Sequence, residues 1–195
     1  MTPDPPAPDR LLHHLGADGV IAMPTDTLPA LAARPEAADH LWRLKGRALE
    51  KPLILMGAEA GQLWQALDIT PHGAWQQAID HWPGALTLVV PHSGPLARWL
   101  NPAQPVSLGL RVPDHQATRA LLRRSGPLAT TSANRSSQPA LLDPDAITKT
   151  FPQALLAGPF PWGAPSGRAS TVVAWQSGRW VTLREGGIQT TDWPS

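Results

Sequence analysis

Short apolar runs rich in β-branched residues alternate along this chain with helix-like segments, and that alternation is what most limits the fold. Such succession builds a sheet covered by helices, an α/β layer architecture. Strands are predicted at 20–23, 53–56, 86–91, 107–112, 128–130, 171–175 and 180–183. Helices are predicted at 9–17, 36–45, 58–66, 73–81, 96–100, 115–124 and 143–149. In PEAADHLWRLKGR, Ala37, Leu41 and Leu44 recur at three- and four-residue spacing, so one helix face packs inward. Arg43, Lys45 and Arg47 are then expected to project outward, with Gly46 ending the helix. No repeat, low-complexity tract or linker breaks the pattern. The expectation is a frayed N-terminus at 1–8, a single domain at 9–188 and a tail at 189–195.

A chain of 195 residues with 42% hydrophobic content can bury one sizeable core. Its formal net charge of +1 provides no global field for unspecific polyanion binding, so any nucleotide or nucleic-acid site must be local. Thirteen arginines stand against three lysines, and the guanidinium fork matches phosphate and carboxylate in bidentate geometry. The absence of cysteine excludes disulfides, thiolate chemistry and cysteine metal sites. No apolar run reaches the length of about 18 residues that a membrane helix needs, and MTPDPPAPDR carries proline and aspartate where a signal peptide is basic. A soluble cytoplasmic protein without a membrane partner is expected. The seven histidines lack metal-ligand spacing, and His13 and His14 fall on a surface helix. The nine tryptophans are dispersed, which reads as packing and not as a base-stacking platform.

Positive charge is concentrated in RLKGRALEKPLI, with two arginines and two lysines within nine residues. Three polar loops follow predicted strands: PTDTLPALA, RVPDH and TTSANRSSQPA. A fourth, GAPSGRASTVV, brings Ser170 and Thr171 to the start of a strand. Ligands of open α/β sheets sit outside strand ends, where such hydroxyl- and amide-rich loops can meet phosphate oxygens.

Seven segments in order, MPTDTLPALA, LKGRALEKPLILM, HWPGALTLVV, LGLRVPDH, LATTSANRSSQPA, ASTVV and LREGGI, resemble the YrdC-like family. The resemblance covers about residues 10–188 and looks like the short form, without the extra C-terminal domain of some members. It implies a twisted open α/β sheet with helices on its faces and a concave, positively charged cavity. It further implies a threonylcarbamoyl-AMP synthase. Such an enzyme joins L-threonine, bicarbonate or carbon dioxide, and ATP, releases pyrophosphate, and serves the N6-threonylcarbamoyladenosine modification of tRNA.

By the same resemblance Lys45, Arg47 and Lys51 act on the triphosphate as the catalytic cations, where fixed charges and oriented donors stabilise the gathering negative charge. Arg111 would pair with the threonine carboxylate, with Thr25, Thr131 and Ser170 completing the amino-acid site. Ser107, Ser132, Asn134 and Arg184 would join the three cations around ATP. Mg²⁺ is expected with ATP, held by phosphate oxygens and water. Expected partners are ATP, L-threonine, bicarbonate, the downstream tRNA threonylcarbamoyl-transferase proteins, and tRNA or double-stranded RNA.

Simpler readings stand beside these. Lys45 to Lys51 could be a solvated helix C-terminus, where the dipole favours cations. Asp26 and Asp114 read as turn and cap residues, Asp114 capping the helix at His115. The chain departs from the family's usual first loop: Pro29 replaces a tyrosine, and Ala30 and Ala32 replace glycines, changes expected to restrict that loop. Arg135 and Ser137 stand where leucine and glycine are common, and Ala169 where proline is. A non-catalytic nucleotide- or double-stranded-RNA-binding paralogue, or a related enzyme acting on a different amine, are the alternative readings.

Overall fold

A computed structural model of the chain describes residues 7–190. Nine strands among them form one sheet: β1 (Ile21–Met23), β2 (Ala30–Ala33), β3 (Ile54–Met56), β4 (Leu86–Pro91), β5 (Ser107–Arg111), β6 (Leu128–Ser132), β7 (Leu155–Leu156), β8 (Thr171–Gln176) and β9 (Arg179–Arg184). Their spatial order is β7-β1-β2-β6-β3-β5-β4-β8-β9. Parallel pairs (β1 with β7, β3 with β5, β4 with β8) are mixed with antiparallel ones. The helices are α1 (Pro8–Gly16), α2 (Asp39–Lys45), α3 (Ala60–Leu67), α4 (Gln76–Ile79), α5 (Pro95–Leu100), α6 (Gln116–Ser125) and α7 (Pro144–Thr150). None of the described helices is long and apolar enough to cross a membrane.

Seven expected strands form, and the run at 86–91 has the same bounds in both readings. Two strands were not foreseen. Residues Ala30–Ala33, expected to form a loop with restricted backbone, lie between β1 and β6 with Ala32 opposite Ile21 and Thr130. Alanine is comfortable in extended backbone, so Ala30 and Ala32 impose no strain there. The two-residue β7 is the other. The helix expected over 36–45 divides into a 3-10 turn at Pro35–Ala37 and α2, and that over 73–81 into a 3-10 turn at Gly73–Trp75 and α4. Gly46 ends α2 in the left-handed region at φ 59°. Asp114 does not cap α6. His115 does, its Nδ1 accepting the Thr118 N–H at 3.3 Å. Residues 1–6 and 191–195, which hold most of the expected ends and Trp193, lie outside the described residues, and Pro8 already belongs to α1.

Period-two alternation gives the sheet two different faces. Ala22, Leu31, Ala33, Leu55, Leu88, Leu110 and Ala129 look one way, onto Leu41 and Trp42 of α2, Leu63 and Leu67 of α3 and Leu100 of α5. Each such fully buried leucine contributes about 1.5–3 kcal/mol. Ile21, Met23, Ala30, Ala32, Met56 and Leu128 look the other way, onto Leu11 and Leu15 of α1 and Leu121 and Leu122 of α6. Beyond those helices the same face continues through Ile54, Thr87, Gly109, Arg111, Thr130 and Val172, and these positions open onto cavities.

The tryptophans are less dispersed than their spacing suggests. Trp64, Trp75, Trp82, Trp175 and Trp180 gather into one cluster with ring centroids 5.1–6.2 Å apart. They pack with the main core on the face away from the cavities. Their role is packing, as expected, but as one body that ties α3, the segments on either side of α4 and the β8–β9 hairpin together.

Candidate active site

Two adjoining cavities share the wall formed by Arg47, Pro52, Ile54 and Arg184. The smaller encloses about 140 Å³ and is lined by Thr25, Thr27, Leu28, Ala30, Arg111, Thr131, Ser132 and Ser170 as well as that wall. The larger, about 310 Å³, adds Lys51, Thr87, Asn101, Ser107 and Gly109. Of the residues expected from the sequence, Thr25, Arg47, Arg111, Thr131, Ser132, Ser170 and Arg184 therefore meet at one hollow. Lys51 and Ser107 meet at its neighbour.

Lys45 and Asn134 are the exceptions and line neither cavity. Lys45 is 2% exposed and does not project outward. Its Nζ donates to the Ser132 carbonyl and, at 2.9 Å, to Asn134 Oδ1, which also accepts from Ser132 Oγ at 2.6 Å. Lys45 and Asn134 thus stand behind the cavity wall and hold Ser132 from its rear. Burial, then the nearby Arg47 charge, lowers the Lys45 pKa to about 7.

Each arginine is oriented by backbone oxygens. Arg47 donates through Nε to Lys51 O at 3.1 Å and through Nη2 to Pro52 O at 3.0 Å. Arg184 donates through Nη2 to Ser170 O at 2.7 Å and through Nε to the same oxygen at 3.2 Å. Arg111, 5% exposed, reaches Gly84 O at 3.2 Å, Thr27 Oγ1 at 2.7 Å and Asp26 Oδ1 at 2.7 Å. Three of its five N–H groups are thereby used and two remain. Burial lowers the pKa of all three guanidinium groups. The Arg184 charge lowers Arg47 and Arg111 further, while Asp26 opposes the shift at Arg111. Converging cations that disfavour one another are a preorganised site for an anion, whose arrival relieves the repulsion.

Sequence reasoning passed over several contributors. Asp26 reads as a turn residue, yet its carboxylate takes Arg111 and the Asp114 N–H at 3.1 Å, tying the first loop to the end of β5. Thr27 supports the same guanidinium, and Thr87 lies under Ser170. Their only sequence signal was a place in PTDT or in a strand. Arg135 lines neither cavity and sits 5.8 Å over the Phe151 ring.

The sequence of residues 13–186 matches the profile of the Sua5/YciO/YrdC family, described as telomere recombination. The chain belongs to the Sua5/YciO/YrdC family. A protein named threonylcarbamoyl-AMP synthase from Stutzerimonas stutzeri is 37% identical over 142 residues, which cover 71% of this chain and 76% of that one. A human protein of the same name is 37% identical over 147 residues, covering 73% of this chain but 51% of its own length. P. abyssi Sua5 has been solved in complex with L-threonine. It superposes with a TM-score of 0.79 at 27% identity, covering 93% of this chain and 55% of the other. This member of the Sua5/YciO/YrdC family therefore spans about half the length of the human and P. abyssi relatives and about three quarters of the Stutzerimonas one. Its sheet and helices are the family's mixed α/β architecture.

Proposed function

We propose that the protein is an L-threonylcarbamoyladenylate synthase, making threonylcarbamoyl-AMP and pyrophosphate from L-threonine, bicarbonate or carbon dioxide, and ATP. The observation that carries this reading is the convergence of Arg47, Arg111 and Arg184, with the hydroxyls of Thr131, Ser132 and Ser170, on two cavities with a common wall. The relatives named for this reaction, and the P. abyssi Sua5 complex with L-threonine, support it.

The neutral threonine amine adds to carbon dioxide and releases one proton to solvent, giving a carbamate. A carbamate oxygen then forms a bond to the α-phosphorus of ATP while the bond from that phosphorus to the bridging oxygen breaks, and pyrophosphate leaves with the electron pair. Negative charge moves onto the leaving phosphates, so fixed cations that are already oriented lower the barrier. Arg47 and Arg184, common to both cavities, suit the phosphates. Arg111 offers its two remaining N–H groups to the threonine carboxylate, beside Thr25, Thr131 and Ser170. The smaller cavity suits an amino acid, and the larger, near the lower bound of about 300 Å³ for ligand pockets, suits the nucleotide, with Lys51 and Ser107 at its edge. Lys45 and Asn134 act from behind, by holding Ser132 and adding charge near Arg47.

Mg²⁺ belongs with ATP in this reading. Among the described residues no group of three or more His, Asp or Glu side chains could hold a metal ion, and the carboxylate nearest Arg111, Asp26, is already engaged. The donors that fit are phosphate oxygens and water, and the ion would neutralise phosphate charge. The product is suited to tRNA threonylcarbamoyl-transferase proteins.

The test is to incubate the protein with ATP, Mg²⁺, bicarbonate and single amino acids and to follow pyrophosphate. Threonine-dependent release is expected. Release with another amine and not threonine would change the substrate. No release, together with salt-sensitive binding of double-stranded RNA, would replace the enzyme with a binding protein.

A further inference from the structure

Thr87 is a single hydroxyl in an apolar strand, between Leu86 and Leu88, and is 1% exposed. Valine would fill the same space, and the neighbouring wall residues of the larger cavity include Val89 and Val172. What threonine adds is an oxygen 2.8 Å from Ser170 Oγ. On its other side Ser170 Oγ lies 3.3 Å from Arg184 Nη2, and Ser170 itself lines the smaller cavity while being 4% exposed.

A hydroxyl has one proton and two lone pairs, and a guanidinium can only donate. One Ser170 lone pair therefore faces Arg184. If Ser170 gave its proton to Thr87, the remaining lone pair would face the cavity and repel an anion there. If Thr87 gives its proton to Ser170, both lone pairs are occupied and the Ser170 proton has the cavity as its remaining direction. We infer that Thr87 is a positioning residue: by donating to Ser170 it makes Ser170 a hydrogen-bond donor to the anionic ligand. The inference rests on the anion-binding reading of the cavities given above.

The experiment compares Thr87→Val, Thr87→Ser, Ser170→Ala and the Thr87→Val/Ser170→Ala double variant, each checked by thermal melting. Two readouts are followed: kcat/KM for threonine-dependent pyrophosphate release, and calorimetric binding of ATP with Mg²⁺ and threonine. Thr87→Val is expected to lose about tenfold, the scale of one hydrogen bond to a charged group. Thr87→Ser is expected to recover most of that loss, and the double variant to be no worse than Ser170→Ala. A Thr87→Val protein equal to wild type, or one that loses the same factor with Ser170 already removed, overturns the inference. If wild type releases no pyrophosphate, the reaction fails but the same cycle is read from binding. If wild type binds no ATP either, both readings fall.

Discussion

Arg111 and Asp26 form an ion pair at 2.7 Å beneath the cavities, with side chains only 6% and 18% exposed. The pair joins the loop after β1 to the end of β5, across 85 positions of sequence. Removing the charge of one partner leaves the other buried without compensation, which is the expensive way to lose such a pair.

Asp26→Asn is accordingly expected to destabilise the fold by about 3 kcal/mol, since the amide keeps the size of the side chain but not its charge. Urea denaturation measures this. Threonine KM should rise as well, because an Arg111 released from Asp26 is no longer aimed. A variant with wild-type midpoint and wild-type KM would reduce the pair to a surface contact.

The pattern of residues revealed most of the sheet because six-residue runs such as 86–91 are too apolar and too β-branched for anything else. It did not reveal Ala30–Ala33, where four residues of weak β propensity become a strand only because β1 and β6 flank them. Family resemblance brought out the arginines and hydroxyls of the cavity, but not their depth. Lys45 reads as the exposed end of a helix, and what buries it is Ser132 and Asn134, some 87 to 89 positions away. Asp26 was opaque for the same reason: its partner is distant in sequence. The tryptophan cluster likewise forms from α3, the segments flanking α4 and β8–β9, whose meeting no local spacing can announce.

Lys45 should make stability depend on pH. Its pKa is about 7 in the folded protein against an ordinary 10.5, so between those values the unfolded chain binds more protons than the folded one. Stability therefore rises as pH rises from about 7 toward 10.5, and the penalty for the buried ammonium is fully present below about 7. Raising the pH from 7 to 9 should stabilise wild type more than Lys45→Met in denaturant titrations. Binding of ATP beside Arg47 should draw a proton back, so at pH 8 the calorimetric enthalpy should vary with the ionisation enthalpy of the buffer. Identical pH slopes in both proteins would mean that Lys45 titrates as an ordinary lysine.

Ser137 holds a left-handed backbone at φ 63° in the loop after β6. An L-residue is disfavoured there by about 1–2 kcal/mol, while glycine loses about 0.5–1 kcal/mol more chain entropy on folding. The difference predicts that Ser137→Gly stabilises by roughly 0.5–1 kcal/mol. The side chain is exposed and lines neither cavity, so pyrophosphate release should not change. A fall in the denaturation midpoint would show that the serine makes a local contribution larger than its strain.

Gly109 separates fold from function in the opposite sense. It is buried in β5 on the floor of the larger cavity, between Ile54 and Thr87. A Cβ added there would meet Ile54 Cγ1 at 3.5 Å and Thr87 Cγ2 at 3.7 Å, which is ordinary contact. Gly109→Ala should therefore fold, with a gain of about 0.5–1 kcal/mol from the lost flexibility of the unfolded chain. The same methyl projects where the nucleotide is proposed to lie, and one misplaced methyl group in a pocket is worth about 10-fold or more. ATP KM should rise by that factor while threonine KM stays within twofold, because Gly109 does not line the smaller cavity. If instead threonine KM rises and ATP KM does not, the two ligands occupy the cavities in the reverse order.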